Sequence, residues 1–496
     1  MAAQIQYPTP ALSAQDVVLR ARAAHEEWRS VSVSERLSCL RRVRHRIAQN
    51  PRALVEAILL TRTGCTHSEI LVSEVLPFLD AVKFLEREAE SLLGSSRSGK
   101  AARPFWLSGV ELEVRREPVG VALIIAPSNY PLFLPGVQAV QALAAGNAVV
   151  IKPGSGASPA MLCLRDYFNA AGLSPELATV VDESAQTATE LISAGIDKIW
   201  LTGSADTGRI VAKIAAETLT PLVCELSGCG AVVLLPGANP ALAARATVFG
   251  LELNQAQTCM RPHRLLVHHS LEAAFTRELL SRLSPLRIRL KAKTAAQLYR
   301  LVLAARCQGA LQLSGDMHDD VATPFVLTNV AVDSELWNAD IFAPVVALNS
   351  FRTIDQAVSL HNSCDYGLTT SIFGPETDAR EIAARLKAGT VVVNDVIVPT
   401  ADPRLPFSGR GDSGHGTTRG AEGLLEFTCP KAVTVRRSGY RHLDTTHPSD
   451  ASMFNAAITV AHGQDLTNRL RAVVEACKAG LRRRSILQRS STDVAN

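Results

Sequence analysis

The feature that most constrains this chain is a recurring pair: a short unbroken apolar run followed by a stretch of helical periodicity. Val119–Ile125 is such a run, a helical stretch follows around Val137–Ala145, and Ala148–Lys152 is the next run. The pattern returns at Ile199–Thr202, at Ala231–Leu235 and, much later, at Gly389–Asn394. Strands that are apolar throughout must be covered on both faces, and alternation with helices predicts parallel sheets. The fold class is therefore α/β.

The flanking regions differ. In the first hundred residues Ser13 with Asp16 and Thr66 with Glu69 have capping-box spacing, and Asn50 with Pro51 offers an N-cap followed by proline. Leu37, Leu40, Val43 and Ile47, then Leu54, Ile58 and Leu59, recur at helical intervals, so a helical layer is expected. From Glu111 to Arg115 polar and apolar residues alternate, the pattern of a half-exposed strand, and Leu112–Arg116 is expected at a sheet edge. Beyond Ser438 the chain is polar at first, then helical and basic from Leu466 to Ile486.

Composition narrows the function classes. At 496 residues the chain is too long for one ordinary core. Fifty-one Lys and Arg against 47 Asp and Glu is nearly neutral, which disfavours nucleic acid as an obligate partner. The run Arg482–Arg484 is the pattern of a solvated terminus. No apolar stretch reaches the length of a membrane span, and Met1–Pro10 lacks the pattern of a signal peptide. Ten irregularly spaced cysteines form no disulfide framework. A soluble, cytoplasmic, multidomain enzyme is expected.

Several residues could carry chemistry. Gly409, Gly411 and Gly414 spell the dinucleotide fingerprint, but they follow a proline-rich loop instead of a strand, which favours a structural loop. Gly203 and Gly208 sit better, after the strand Ile199–Thr202 and at the start of a helix, where Ser204 adds a hydroxyl. They suit a pyrophosphate or merely a tight turn. Cys259 lies in a polar stretch after the helical segment 240–253 and is either a nucleophile or a small packed residue. Glu225, beside a buried strand, would have a raised pKa as a general base, or be a salt-bridged structural acid. Cys224 and Cys229 lack the further ligands a metal site needs, so no metal is expected.

Taken together, residues 111 to about 435 resemble the aldehyde dehydrogenase superfamily in order and spacing. Ala126–Pro131 is similar to its P-W-N-[FY]-P turn, Leu143–Asn147 with Val150–Pro153 to its A-L-A-A-G-N…K-P segment, and Leu201–Ser204 with Gly208 to F-T-G-S-x-x-x-G. Glu225–Gly228 resembles E-L-G-G, and Asn254–Arg264 resembles N-x-G-Q-x-C…R, with Cys259 lying 34 residues after Glu225. Asp340–Pro344 resembles E-[IV]-F-G-P, and Pro406–Gly409 with Ser413 and Gly414 resembles P-F-G-G…S-G.

The resemblance implies a Rossmann-type cofactor domain (1–99 and 119–226), an α/β catalytic domain (227–411) and oligomerisation strands (100–118 and 427–440), with an extension of unknown role at 441–496. It implies NAD(P)-dependent oxidation of an aldehyde to an acid, through a thiohemiacetal and thioester on Cys259. Asn129 would hold the oxyanion and Glu225 would activate water. Lys152, Ser155, Gly203, Ser204, Gly208, Asp340 and Phe342 would contact NAD or NADP, and Tyr130 and Phe407 would line the substrate tunnel. A homodimer or homotetramer is expected. Departures from the family pattern are Ser128 for Trp, Asp340 for Glu, and Ser155 for a Glu that would repel the 2′-phosphate of NADP. The segment between Arg264 and Asp340 is also short. With Arg404 as the one evident cation near the tunnel, an uncharged aldehyde is expected over a dicarboxylic semialdehyde. The rivals are a coenzyme-A-acylating dehydrogenase, which Glu225 opposes, and an inactive scaffold of the same fold, which Cys259, Glu225 and Asn129 together oppose.

Overall fold

Every side chain of Val121–Ile125 is buried, as a strand covered on both faces requires. In the computed structural model, which describes residues 12–99, 103–437 and 450–493, this strand, β1, lies at the centre of a parallel sheet. Its other members are β2 (Ala148–Lys152), β3 (Ala178–Val180), β4 (Lys198–Gly203) and β5 (Leu222–Leu226), in the order β3-β2-β1-β4-β5. The short strand Gly414–His415 pairs antiparallel with β5. The chain runs outward from β1 to β3 and then crosses back to β4. In doubly wound sheets ligands bind at the carboxyl ends of the strands where the order reverses, here β1 and β4.

A second sheet holds β6 (Gly230–Leu234), β7 (Pro262–His268), β8 (Leu311–Ser314), β9 (Phe325–Thr328), β10 (Val345–Phe351), β11 (Thr369–Phe373) and β12 (Thr390–Val393). Its order is β8-β9-β10-β7-β6-β11-β12, parallel except at β8. The chain passes from one sheet to the other through Ser227–Cys229, between β5 and β6. Both sheets lie in one compact unit, up to Ser96 with Val114–Lys431. A second unit comprises Arg97–Glu113 and the described residues from Ala432 onward.

The helical N-terminal layer follows from its caps. Ser13 accepts from the amide of Asp16, and Thr66 with Glu69 closes a full capping box. Ser32 and Glu35 close another. Asn50 is a correction: it ends the helix Val33–Gln49 as its C-cap, and Pro51 precedes Arg52–Leu59 with no side-chain cap. Leu37, Leu40, Val43, Ile47, Leu54 and Ile58 are buried. Gly146 ends the helix Phe133–Ala145 at φ 96°, a left-handed position that suits glycine. Asn147 then ties the turn together, accepting from Gly120 N and donating to the carbonyls of Ala142 and Phe427.

A second correction concerns Leu112–Arg116. Its strand, Val110–Pro118, is the middle of a three-stranded sheet between Ser96–Ser98 and Thr428–Arg436, so it is not an edge. Alternating polarity marks a strand whose faces differ in exposure and says nothing of which neighbours pair with it. The N-terminal segment 1–11, residues 100–102 and 438–440 of the expected oligomerisation strands, and 441–449 and 494–496 of the extension lie outside the described residues. Among the described residues no helix is long and apolar enough to cross a membrane.

Candidate active site

Three consecutive non-glycine residues, Asn254, Gln255 and Ala256, have positive φ (49°, 52° and 61°). Left-handed backbone of this kind costs about 1–3 kcal/mol per residue and persists only where its surroundings hold it. Here the restraint is a buried polar network. Glu74 accepts from the amides of Leu132 (3.1 Å) and Phe133 (2.7 Å), at the start of the helix Phe133–Ala145. Arg62 pairs with Glu74 at 3.1 Å and donates to Asn254 Oδ1 at 2.9 Å. Asn254 Nδ2 donates in turn to the carbonyls of Asn129 (2.8 Å) and Gln257 (3.2 Å). Asn129 Nδ2 completes the loop by donating to Gln257 O at 2.9 Å. Arg62 also lies over the ring of Tyr130, 4.9 Å from its centroid, and the Tyr130 hydroxyl meets Thr258 Oγ1 at 2.9 Å.

The strained turn delivers Cys259 beside the segment that carries Asn129. The thiol is half-buried, and burial pushes it up to about 12, with the Glu225 charge adding and the Arg419 charge opposing. Glu225, on β5, is 3% exposed. Its Oε2 accepts from Thr418 Oγ1 at 2.6 Å, while the buried Oε1 has no partner. Burial raises this carboxyl above its usual range; the Arg419 charge and the Thr418 bond oppose it. A methyl group built on Gly228, three residues further on, would lie 3.2 Å from the Cys259 carbonyl oxygen, so the two segments touch.

Arg419 is the charge that sequence reasoning missed. It is buried, donates to Thr400 O at 2.6 Å and lies 4.1 Å from the centroid of Phe407. The cation singled out from sequence, Arg404, is exposed and paired with Asp402 at 2.5 Å. Phe407 is a further correction: it is fully buried beneath Arg419 and presents no surface for a tunnel wall. Tyr130 is 8% exposed and tied to Thr258.

Asp340 and Phe342, both partly exposed, lie on the segment before β10. Arg261, two residues after Cys259, pins that segment by donating to the carbonyls of Ile341 (3.0 Å) and Val345 (3.1 Å). Burial raises the Asp340 carboxyl, and a hydrogen bond from Ser227 opposes it.

The remaining predicted residues lie at or just beyond the carboxyl ends of β2 and β4. Lys152, at the carboxyl end of β2, is half-buried, and burial lowers its pKa against the pull of Glu183 and Asp182. Gly154 has no room for a side chain, since a methyl there would meet the Pro127 carbonyl carbon at 2.4 Å. Ser155 is exposed. Glu183 accepts from Gly156 N (2.7 Å), Ser158 N (3.0 Å) and Ser158 Oγ (2.7 Å), which puts its carboxylate next to Ser155 in the chain's fold. Ser204 caps the helix Ala205–Glu217, accepting from Thr207 N. Gly208 serves packing, because a methyl on it would lie 2.8 Å from Leu226. A methyl on Gly203 would meet only ordinary contacts. The helix N-terminus after β4, the close-packed Gly154 turn and Lys152 at the end of β2 form a donor set that suits a dinucleotide. Gly409, Gly411 and Gly414 form no such cradle: methyls there would meet the carbonyls of Ser413, Asp365 and Cys224 within 2.3 Å, so this loop packs backbone to backbone on its neighbours.

The sequence profile of the aldehyde dehydrogenase family matches residues 3–433. The 4,4'-diapolycopene aldehyde oxidase of Methylomonas sp is 32% identical over 472 residues, which cover 92% of this chain and 88% of that protein. The 4,4'-diapolycopene-4,4'-dial dehydrogenase of Cytobacillus firmus is 31% identical over 417 residues, 82% of this chain and 90% of that one. The solved structure of betaine aldehyde dehydrogenase from Staphylococcus aureus shares the fold at a TM-score of 0.78 and 24% identity, over 87% of this chain and 89% of that chain.

Proposed function

The chain belongs to the aldehyde dehydrogenase family, and we propose that it oxidises an apolar aldehyde to the carboxylic acid through Cys259, with NAD or NADP as electron acceptor. The observation that carries this reading is the placement of Glu225: a buried carboxylate with one oxygen unpartnered, electrostatically coupled to Cys259. A buried acid left open in this way is suited to take a proton from water.

Cys259 attacks as the thiolate, its proton having passed to solvent, and forms a bond from sulfur to the aldehyde carbon. Charge then develops on the carbonyl oxygen. Asn129 carries a second amide hydrogen beside the one given to Gln257, and with the Cys259 backbone N–H it stabilises that oxygen. A nicotinamide dinucleotide, when held here, would supply the two-electron oxidation that takes the adduct on Cys259 to a thioester. Lys152, Ser204 and the first turn of Ala205–Glu217 would hold the dinucleotide, with Asp340 and Phe342 at its nicotinamide end. Glu225 Oε1 accepts a proton from water, the hydroxyl adds to the thioester, and the carbon–sulfur bond breaks to release acid and thiolate.

The two ionisations oppose each other. An ionised Glu225 disfavours the Cys259 thiolate, so the acid is best neutral during attack and ionised during hydrolysis. Arg419 favours both anions and moderates this conflict.

The apolar substrate class is carried over from the two relatives, a diapolycopene aldehyde oxidase and a diapolycopene-dial dehydrogenase. Reduced-nicotinamide absorbance over an aldehyde panel, with and without coenzyme A, tests the whole reading. Free acid formed without coenzyme A is expected; a strict requirement for the thiol would move the protein to the acylating class.

A further inference from the structure

Among the described residues, the helix Leu466–Asp493 leaves an apolar stripe without a partner. Leu466, Leu470, Val473, Val474 and Leu481 are each 43% to 68% exposed. At 100° per residue they fall within roughly 100° of the helix circumference, the width of a buried face. The helix packs instead on Asp450–His462, where Ala456 and Ala472 are buried. Five large apolar side chains on one line are not scattered surface residues, and they call for something to cover them.

Charge identifies the cover. Arg471 and Lys478, both exposed, lie roughly 90–110° from the middle of the stripe, the flank from which long basic side chains reach a lipid headgroup. From Leu466 to Asp493 the sequence carries seven Arg and Lys against two acidic residues. A second copy of the helix would bring the same charge against itself. Its repeat is also too short: Leu470, Val474, Cys477 and Leu481 follow heptad spacing, but the positions on either side are Thr467 and Arg484.

We infer that this helix docks in the plane of a bilayer containing anionic phospholipid, its stripe in the acyl boundary and its basic flank on the headgroups. The test uses the full chain in flotation with vesicles of phosphatidylcholine alone or with phosphatidylglycerol. Binding about tenfold or more in favour of the anionic vesicles is expected, weakening as salt is raised. Leu470→Glu with Val473→Glu should abolish it while turnover of a water-soluble aldehyde and mass by light scattering stay unchanged. Arg471→Gln with Lys478→Gln, which keeps the stripe, should lower the anionic preference several-fold. No vesicle binding, equal binding to both vesicles, or a fall in oligomeric mass in the double-Glu variant would overturn the inference, the last by showing that the stripe joins copies of the chain.

Discussion

Thr418 Oγ1 donates to Glu225 Oε2 at 2.6 Å, across 193 residues of sequence, and this is the one hydrogen bond the buried carboxylate receives among the described residues. The bond favours the ionised form and so lowers a pKa that burial raises. Glu225 works as a base only when ionised, so hydrolysis fails as pH falls through that pKa. A hydrogen bond to a charged group is worth about 1.5–3 kcal/mol, or roughly one to two pH units. Thr418→Val should therefore move the acid limb of the kcat profile up by about that much, with little change at high pH. An unmoved limb would mean that it reports some other group.

Cys259→Ser should abolish dehydrogenase turnover and leave nicotinamide-nucleotide binding intact, since a hydroxyl is far harder to ionise than even this raised thiol. Activity and a nucleotide titration by fluorescence measure the two properties separately. Substantial oxidation by the variant would remove Cys259 from the chemistry.

Glu225→Gln keeps the shape and the Thr418 contact but cannot accept a proton. Rapid mixing should show a stoichiometric burst of reduced cofactor followed by slow turnover. A burst that falls in step with the steady rate would assign Glu225 an earlier or a structural role.

Cofactor choice rests on two positions that the fold brings together. Ser155 supplies no carboxylate, and the Glu183 carboxylate is committed to the amides and hydroxyl of the 156–158 turn. NADP should therefore be used within about tenfold of NAD, a difference of about 1.4 kcal/mol or less. Ser155→Glu should shift preference to NAD, chiefly by weakening NADP, in both kcat/KM and equilibrium binding. A wild type that ignores NADP, together with a Glu183→Gln variant that accepts it, would make Glu183 the selector instead.

Arg62 holds the strained turn before Cys259 through Asn254 while neutralising Glu74. Arg62→Ala strands a buried carboxylate and should cost about 3–5 kcal/mol of stability. Arg62→Lys should recover little of it, because one ammonium cannot match a planar fork shared among Asn254, Ser73 and Glu74. Thermal denaturation and kcat measured together test this; kcat should fall even where the fold survives.

The sequence by itself determined the α/β class and one or more buried strands of each large sheet, because buried strands, helix caps and glycine turns write their requirements into neighbouring positions. Val121–Ile125 and Ala148–Lys152 are legible in this way, as is the misplaced context of Gly409, Gly411 and Gly414. Tertiary structure alone decided the rest. The central place of Val110–Pro118 in its sheet depends on a partner some three hundred residues away. Local alternation constrains only which faces are buried. Arg62, Glu74 and Arg419 look like ordinary surface charges in sequence. Their roles arise from being buried beside groups distant in the chain, where low dielectric makes each charge depend on partners that no local pattern specifies.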